Sequence, residues 1–223
     1  MKPIAIVGAG GLGREILMLV EQINSARDAW IFKGFFDDEV PKGTTINGYP
    51  VLGNVDDLNR YDQSLAIVVA VGSPSKKKSV IERIANGYVS YPVLIHPNAQ
   101  MGNPDYVKVG EGTVIAAGSI VAVNATIGKH VFLNFGTVVG HDARIGDYTS
   151  VMPSVNINGE ANIGEGVYLG VGAVILNQIP IGENSIIGAG SVVFSPIPPN
   201  CTALGNPARP MKTNTPKPLA ANV

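Results

Sequence analysis

Residues 127–151 read IGKHVFLNFGTVVGHDARIGDYTSV, and an aliphatic residue returns at every sixth position of this stretch. The same step of six runs from Val109 to Val193 through fifteen consecutive aliphatic residues, until Pro199 ends it. A helix, with about 3.6 residues per turn, would scatter these residues around its surface. A plain strand repeats every two residues and does not explain why glycine so often follows the aliphatic residue, as at Gly140.

A chain that turns a corner every six residues explains the period. The aliphatic residue points inward from a flat side, and a small residue four places later, such as Ala143, fits the tapering interior. We expect the glycine after each aliphatic residue to relieve the corner. Three sides make one coil, so fifteen positions predict five coils, stacked through parallel strands about 4.8 Å apart. This repeat resembles that of the hexapeptide-repeat acyltransferases, which implies a left-handed parallel β-helix.

Composition excludes several classes of protein. Hydrophobic residues make up 45% of the chain and charged residues only 15%, the reverse of a disordered protein. A net charge of -1 leaves no basic surplus for nucleic acid, so we expect no nucleic-acid partner. The single cysteine, Cys201, suits a reducing compartment. The N-terminus shows no cleavage site and no long apolar run, so we expect a cytoplasmic protein without membrane insertion.

The first third of the chain lacks the six-residue period. Apolar runs at 4–7, 30–36 and 65–71 alternate with helical spacing at 14–23 and 76–85, which predicts a small Rossmann-like α/β unit. We therefore expect three parts: residues 1–92 as a Rossmann-like nucleotide-sugar-binding domain, 93–212 as the left-handed β-helix, and 213–223 as a disordered tail.

A glycine-rich loop, G-x-G-x-x-G over residues 8–13, joins the first predicted strand to the first predicted helix. Such a loop lets a ligand approach the backbone and aims a helix N-terminus at anionic oxygens. The unit has room for one mononucleotide half, and we favour a nucleotide-sugar site over two alternatives, an NAD site and a purely structural turn. The residues predicted to line this site are Gly10, Gly11 and Leu12 for the diphosphate or base, Asp37 and Asp38 for a polar ring edge, and Gly72 and Ser73.

Three histidines are candidates for acid–base chemistry: His96, His130 and His141. We expect His96 to be structural and His130 to point outward into solvent. His141 is the third residue of its hexad, where it projects outward with the carboxylate of Asp142 beside it. Imidazole titrates near neutral pH, and an adjacent acid stabilises its protonated form, so the pair predicts a general base.

The order of motifs along the chain resembles that of one acetyltransferase family. The glycine loop is followed by Phe36-Asp37-Asp38, Ile95-His96-Pro97, Gly140-His141-Asp142 and Gly205-Asn206-Pro207-Ala208-Arg209. The chain is similar to the bacterial sugar-nucleotide acetyltransferases grouped with sialic acid O-acetyltransferases, which include N-acetyltransferases of UDP-4-amino sugars and of GDP-perosamine. The resemblance implies an acetyl-CoA-dependent N-acetyltransferase of glycan biosynthesis, without a metal, that forms a homotrimer with active sites between subunits.

The resemblance also assigns roles to individual residues. His141 takes a proton from the sugar amine, Asp142 tunes His141, Asn134 lies near this base, and the backbone of Gly159 meets the acetyl group. The positions that match CoA contacts are Ser150, Val171 and Ala189, and we add Arg209 for a CoA phosphate because of its charge and position. Two alternatives remain open: an O-acetyltransferase acting on sialic acid or another sugar, and a non-enzymatic trimer that binds nucleotide sugars.

Overall fold

The N-terminal part of the computed structural model, which describes residues 1–213, is a six-stranded sheet with helices. Its strand order is β3-β4-β2-β1-β5-β6, and every neighbouring pair is parallel except the β3–β4 hairpin. Its elements are β1 (Lys2–Val7), α1 (Gly11–Ala26), β2 (Trp30–Phe36), β3 (Thr45–Ile46), β4 (Tyr49–Gly53), α2 (Val55–Asn59), β5 (Leu65–Val69), α3 (Pro74–Arg83) and β6 (Val89–Ser90).

The predicted Rossmann-like unit is confirmed. The apolar face of α1 packs on the sheet, with Ile16, Leu17 and Val20 at most 2% exposed. The hairpin, α2 and β6 were not predicted, because two- to five-residue elements are too short to show a period.

The rest of the chain is a solenoid of two-residue strands. They are β7 (Leu94–Ile95), β8 (Gln100–Met101), β9 (Lys108–Val109), β10 (Val114–Ile115), β11 (Ile120–Val121), β12 (Thr126–Ile127), β13 (Phe132–Leu133), β14 (Val138–Val139), β15 (Arg144–Ile145), β16 (Ser150–Val151), β17 (Asn156–Ile157), β18 (Asn162–Ile163), β19 (Tyr168–Leu169), β20 (Val174–Ile175), β21 (Pro180–Ile181), β22 (Ile186–Ile187) and β23 (Val192–Val193). An antiparallel hairpin, β24 (Cys201–Gly205) and β25 (Ala208–Thr213), follows on the last coil. Residues 214–223, most of the expected tail, lie outside the described residues.

Three parallel sheets form the sides of the solenoid. Face 1 contains β7, β10, β13, β16, β19, β22 and β24, face 2 runs from β8 to β23, and face 3 runs from β9 to β21. Ile197 bridges to Ile181 and completes a sixth coil, one more than predicted. Two of the three extra sides, β7 and β8, lie before Val109, where the step from Met101 to Val109 is eight residues and hides the period. The third side is Ile197, only four residues after Val193.

The interior has the predicted composition. From Ile115 onward the inward aliphatic residues are at most 2% exposed, and the small residues four places later, such as Ala125 and Ala143, are completely buried. Each inward aliphatic side chain contributes roughly 1.5–3 kcal/mol of burial, so this column stabilises the solenoid.

The predicted reason for the glycines is wrong. The glycine after each aliphatic residue does not adopt left-handed backbone angles. A side chain on Gly140 would instead come within 2.6 Å of the backbone nitrogen of Gly159, on the next coil. These glycines therefore let the coils stack closely. The left-handed turn lies two residues further on, at Gly136 or Asp142 (φ 58°) for example.

The N-terminal unit packs on face 1. Leu94, Val114 and Phe132 share one buried cluster with the first sheet and α1, and Lys78 of α3 forms an ion pair of 2.7 Å with Glu165. None of the helices within residues 1–213 is long and apolar enough to cross a membrane.

Candidate active site

The corner between faces 2 and 3 carries the predicted base. Residues eighteen apart stack there on successive coils. We call the set Asn124, His141, Asp142, Gly159, Glu160 and Gln178 the histidine corner. Its backbone is joined from coil to coil, for example from the N–H of Glu160 to the carbonyl of His141 at 2.8 Å. The corner therefore holds its side chains on a rigid frame.

The imidazole of His141 is fixed through one nitrogen. Its Nδ1 lies 2.9 Å from Oδ2 of Asp142, so the short aspartate reaches the ring, and the His141 side chain is 52% exposed. The hydrogen bond to His141, followed by one from Asn124, lowers the pKa of Asp142. Asp142 is thus an ionised carboxylate whose oxygens only accept hydrogen bonds, so Nδ1 of His141 must carry the hydrogen. The lone pair of Nε2 remains available for a substrate proton.

The free edge of the ring lies against Gly159. A Cβ built on Gly159 would overlap Nε2 of His141, so only glycine leaves room for the imidazole in this position. The structure therefore brings together three of the predicted residues, His141, Asp142 and Gly159. Asn124 was not predicted, although it lies eighteen residues before Asp142 and therefore occupies the same position on the preceding coil.

The predicted CoA contacts lie elsewhere in the same chain. Val171, 51% exposed, and the exposed Ala189 stack on the corner between faces 1 and 2, where the N–H of Gly190 donates to the carbonyl of Val171 at 2.8 Å. Arg209 is exposed on β25. Asn134 begins the turn one strand before the histidine corner and is 7% exposed, and its Oδ1 accepts from the backbone of Phe135.

Ser150 is the predicted contact that the structure contradicts. It is completely buried, and its Oγ accepts a hydrogen bond of 3.1 Å from Nζ of Lys77. Helix α3 covers this part of face 1, so a cofactor cannot reach the serine. Ser150 is therefore not a CoA contact in this structure.

The glycine loop divides into structural and open positions. A side chain on Gly13 would overlap the carbonyl of Gly8, and one on Gly8 would press on Ala70, so these two shape the turn. Gly10 and Gly11 face open space at the start of α1. An anionic ligand therefore has access to this helix N-terminus.

Both predicted aspartates already bind backbone N–H groups. Asp37 accepts from Ala9 at 2.7 Å, and also from Glu39 and Val40. Asp38 accepts from Val55 and forms an ion pair of 2.7 Å with Arg83. Both aspartates line a cleft of about 230 Å³ beside Gly8, and their predicted contact with a polar ring edge stays a prediction.

Gly72 and Ser73 lie where the two parts of the chain meet. With Met152, Tyr168 and Asn184 they line a cleft of about 470 Å³ between the first sheet and face 1. Gly72 is also a neighbour of the Leu12 side chain, so the β1–α1 and β5–α3 loops share one crevice.

The other two histidines are buried. His96, 7% exposed, pairs with Gln22 and with the N–H of Asn98, as expected of a structural residue. The prediction that His130 is solvated is wrong: it is 6% exposed and stacks on Tyr148, and desolvation lowers its pKa to about 4. His130 is therefore neutral and structural.

These features define a hexapeptide-repeat acyltransferase with an N-terminal Rossmann-like domain, and comparisons with known proteins agree. The PglD N-terminal domain family matches residues 3–84, and the bacterial transferase hexapeptide (six repeats) family matches residues 160–195. A UDP-N-acetylbacillosamine N-acetyltransferase of Bacillus subtilis (strain 168) is 38% identical over 117 residues, 52% of this chain and 52% of the relative. The chain is thus matched over about half the length of that curated relative.

Solved structures match over almost the whole chain. The acetyltransferase domain of PglB from Neisseria gonorrhoeae FA1090, in complex with acetyl coenzyme A, is 30% identical with a TM-score of 0.83, covering 94% of this chain and 99% of that one. PerB from Caulobacter crescentus, in complex with CoA and GDP-perosamine, is 28% identical with a TM-score of 0.82, covering 95% and 98%. The chain belongs to this family of bacterial sugar-nucleotide acetyltransferases, whose solenoid is the left-handed β-helix.

Proposed function

We propose that the protein transfers an acetyl group from acetyl-CoA to the amino group of a nucleotide-linked amino sugar. One observation carries the proposal. The exposed imidazole of His141 bonds to Asp142 through Nδ1, so Nε2, which lies next to the backbone of Gly159, can accept a proton from a substrate. The relatives support the choice of substrates, because PglB's domain was solved with acetyl-CoA and PerB with CoA and GDP-perosamine.

His141 acts as the base of a direct transfer. Its Nε2 takes a proton from the amine as the nitrogen forms a bond to the thioester carbonyl carbon. The carbon–sulfur bond then breaks, and the leaving thiolate of CoA receives the proton from the imidazolium. We assign the N–H of Gly159 to the developing oxyanion, a contribution of about 3 kcal/mol where such donors have been measured. Cys201 is buried, so a covalent acetyl-cysteine has no support.

The N-terminal unit, residues 1–92, holds the nucleotide sugar in this proposal, and residues 93–212 hold acetyl-CoA. The open backbone of Gly10 and Gly11 at the start of α1 receives the diphosphate or base, and Gly72 and Ser73 close the same crevice. The N–H donors already bonded to Asp37 and Asp38 orient their carboxylates, which retain lone pairs for a polar ring edge of the ligand.

A homotrimer completes the active site. The outward side chains of face 2 include Ile120, 39% exposed, and the half-buried Val138, Val174 and Val192, whereas those of face 3 include Lys108 and Arg144. Face 2 lies between the histidine corner and the corner of Val171 and Ala189. Packing this apolar face against a neighbour brings His141 of one subunit towards the CoA-binding corner of another, and three copies close the ring. Arg209 then serves a CoA phosphate.

The product would be an N-acetylated nucleotide sugar for glycan biosynthesis. We place the protein in the cytoplasm, where acetyl-CoA and nucleotide sugars are available.

Incubation with acetyl-CoA and a panel of UDP-, GDP- and dTDP-amino sugars and CMP-sialate tests the function. We expect thiol release with an amino sugar and a product that resists mild base, as an amide does. His141→Asn should lower kcat by about 10²–10⁴, whereas Arg144→Ala on face 3 should not. A base-labile product would indicate O-acetylation. Binding of a nucleotide sugar without CoA, measured by calorimetry, would indicate a non-enzymatic protein.

A further inference from the structure

We infer that Asn124 is a positioning residue that fixes the proton on Nδ1 of His141 through Asp142. Asn124 lies one coil before Asp142, and its Nδ2 donates to Oδ1 of Asp142 at 3.0 Å. The other oxygen, Oδ2, faces Nδ1 of His141 at 2.9 Å. The carboxylate is thus held on both sides, and the three side chains form a chain of hydrogen bonds across two coils.

The orientation of the carboxylate needs a second contact. Asp142 is exposed at a turn, where a short side chain has several accessible rotamers and water competes for each oxygen. A single hydrogen bond to His141 leaves rotation about the Cα–Cβ bond open. The amide of Asn124 restricts that freedom, because the observed rotamer places one carboxylate oxygen against each partner.

The same pairing of an amide with a carboxylate occurs once more in the corner. Glu160 takes the position of Asp142 on the following coil, about 4.8 Å further along the solenoid. Gln178, one coil further on, donates to Glu160 at 3.1 Å. The Gln178–Glu160 pair is therefore a matched comparison for the Asn124–Asp142 pair.

Asn124 has two roles, because its backbone forms a left-handed turn and its side chain binds Asp142. The test has to change the side chain without disturbing the turn. The φ of Asn124 is 60°, in the left-handed region that asparagine and glycine tolerate. Asn124→Gly keeps the turn and removes the amide. Asn124→Asp keeps size and turn but places a third carboxylate against Asp142. Gln178→Gly is the matched control, because Gln178 (φ 63°) is also left-handed and donates to the other carboxylate of the corner.

The first readout is the tautomer of His141, measured by ¹⁵N NMR in the free protein. The chain has three histidines, so the imidazole ring signals are few. The signals that disappear in His141→Asn belong to His141. We expect hydrogen on Nδ1 in the wild type and in Gln178→Gly, and a mixture of tautomers in Asn124→Gly. A wild-type tautomer in Asn124→Gly, or an equal change in Gln178→Gly, overturns the inference. Since no substrate is present, this readout does not depend on the proposed function.

The second readout is kinetic and rests on the proposed acetyl transfer. Asn124→Gly should lower kcat about three- to tenfold with KM unchanged, because the hydrogen bond that is lost is exposed to solvent. Asn124→Asp should move the acid limb of the pH–rate profile to higher pH, because added negative charge favours the imidazolium. An unchanged kcat in Asn124→Gly alongside an altered tautomer would overturn the positioning role in catalysis. Absence of acetyl transfer in the wild type would instead overturn the function and leave the tautomer result standing.

Discussion

Replacement of Lys77 by methionine should stabilise the protein at neutral pH and remove much of its pH dependence. Lys77 of α3 is 2% exposed, and its Nζ donates to the hydroxyl of Ser150 and the carbonyl of Thr149 on the solenoid. Desolvation by burial lowers its pKa from 10.5 to about 7. At about 1.4 kcal/mol per pH unit, the protonated lysine costs the fold at most about 5 kcal/mol.

The sign follows from proton binding. Below about pH 7 the lysine is protonated in both folded and unfolded chains, and the full cost is present. Between about pH 7 and 10.5 the folded chain releases the proton while the unfolded chain keeps it, so the free energy of unfolding rises with pH. Methionine has similar length and no charge. It leaves Ser150 without its donor, a loss of about 1–3 kcal/mol, so we expect a net gain of about 2–4 kcal/mol at pH 6 from these two terms.

Urea unfolding at a fixed protein concentration, from about pH 6 to pH 9, measures this difference. The advantage of Lys77→Met should shrink as the pH rises, and the double variant Lys77→Met/Ser150→Ala should recover part of the loss from the unpaired hydroxyl. Parallel curves for wild type and variant would show that Lys77 keeps an ordinary pKa and would refute the reasoning.

Three further variants test other features. Gly159→Ala should abolish acetyl transfer with the fold intact, because the new methyl group overlaps His141; thiol release and circular dichroism check this, and full activity would contradict the site geometry. In the proposed trimer, Val138→Asp would bury a charge at face 2, so the variant should sediment as a monomer and lose activity; an active monomer would exclude a site between subunits. Gly13→Ala should lower the melting temperature by several degrees because it meets backbone, whereas Gly10→Ala should keep stability and weaken nucleotide-sugar binding; equal melting temperatures for the two would argue against this division.

Regular features of the fold were visible in the sequence because they repeat. The column of inward residues from Ile115 to Val193 needed only a step of six, and Trp30–Phe36 stood out as an apolar run that became β2. The sides that break the step were not predicted: β7 and β8 before Val109, and Ile197 after Val193. The turn residues were also not predicted, because several residue types besides glycine take the left-handed conformation, Asp142 among them.

The candidate site was predictable where it follows the repeat and unpredictable where it depends on docking. His141 and Gly159 are eighteen residues apart, so the period already placed them on adjacent coils, and the same arithmetic would have found Asn124. The burial of Ser150 depends on where α3 packs on face 1. No local pattern around residue 150 reveals a lysine from residue 77, because that contact is set by the tertiary arrangement of two units.

The coil of eighteen residues also constrains how such a chain changes length. Because strand residues of the regular coils pair in register with residues eighteen later, deletion or duplication of eighteen codons would preserve every column, while loss of a single codon would turn the inward column outward downstream. The longer step between Met101 and Val109 is accommodated by the exposed residues 103–106 between β8 and β9. Lineages of this gene should therefore differ by whole coils or by loops at corners, and rarely by single residues inside a strand.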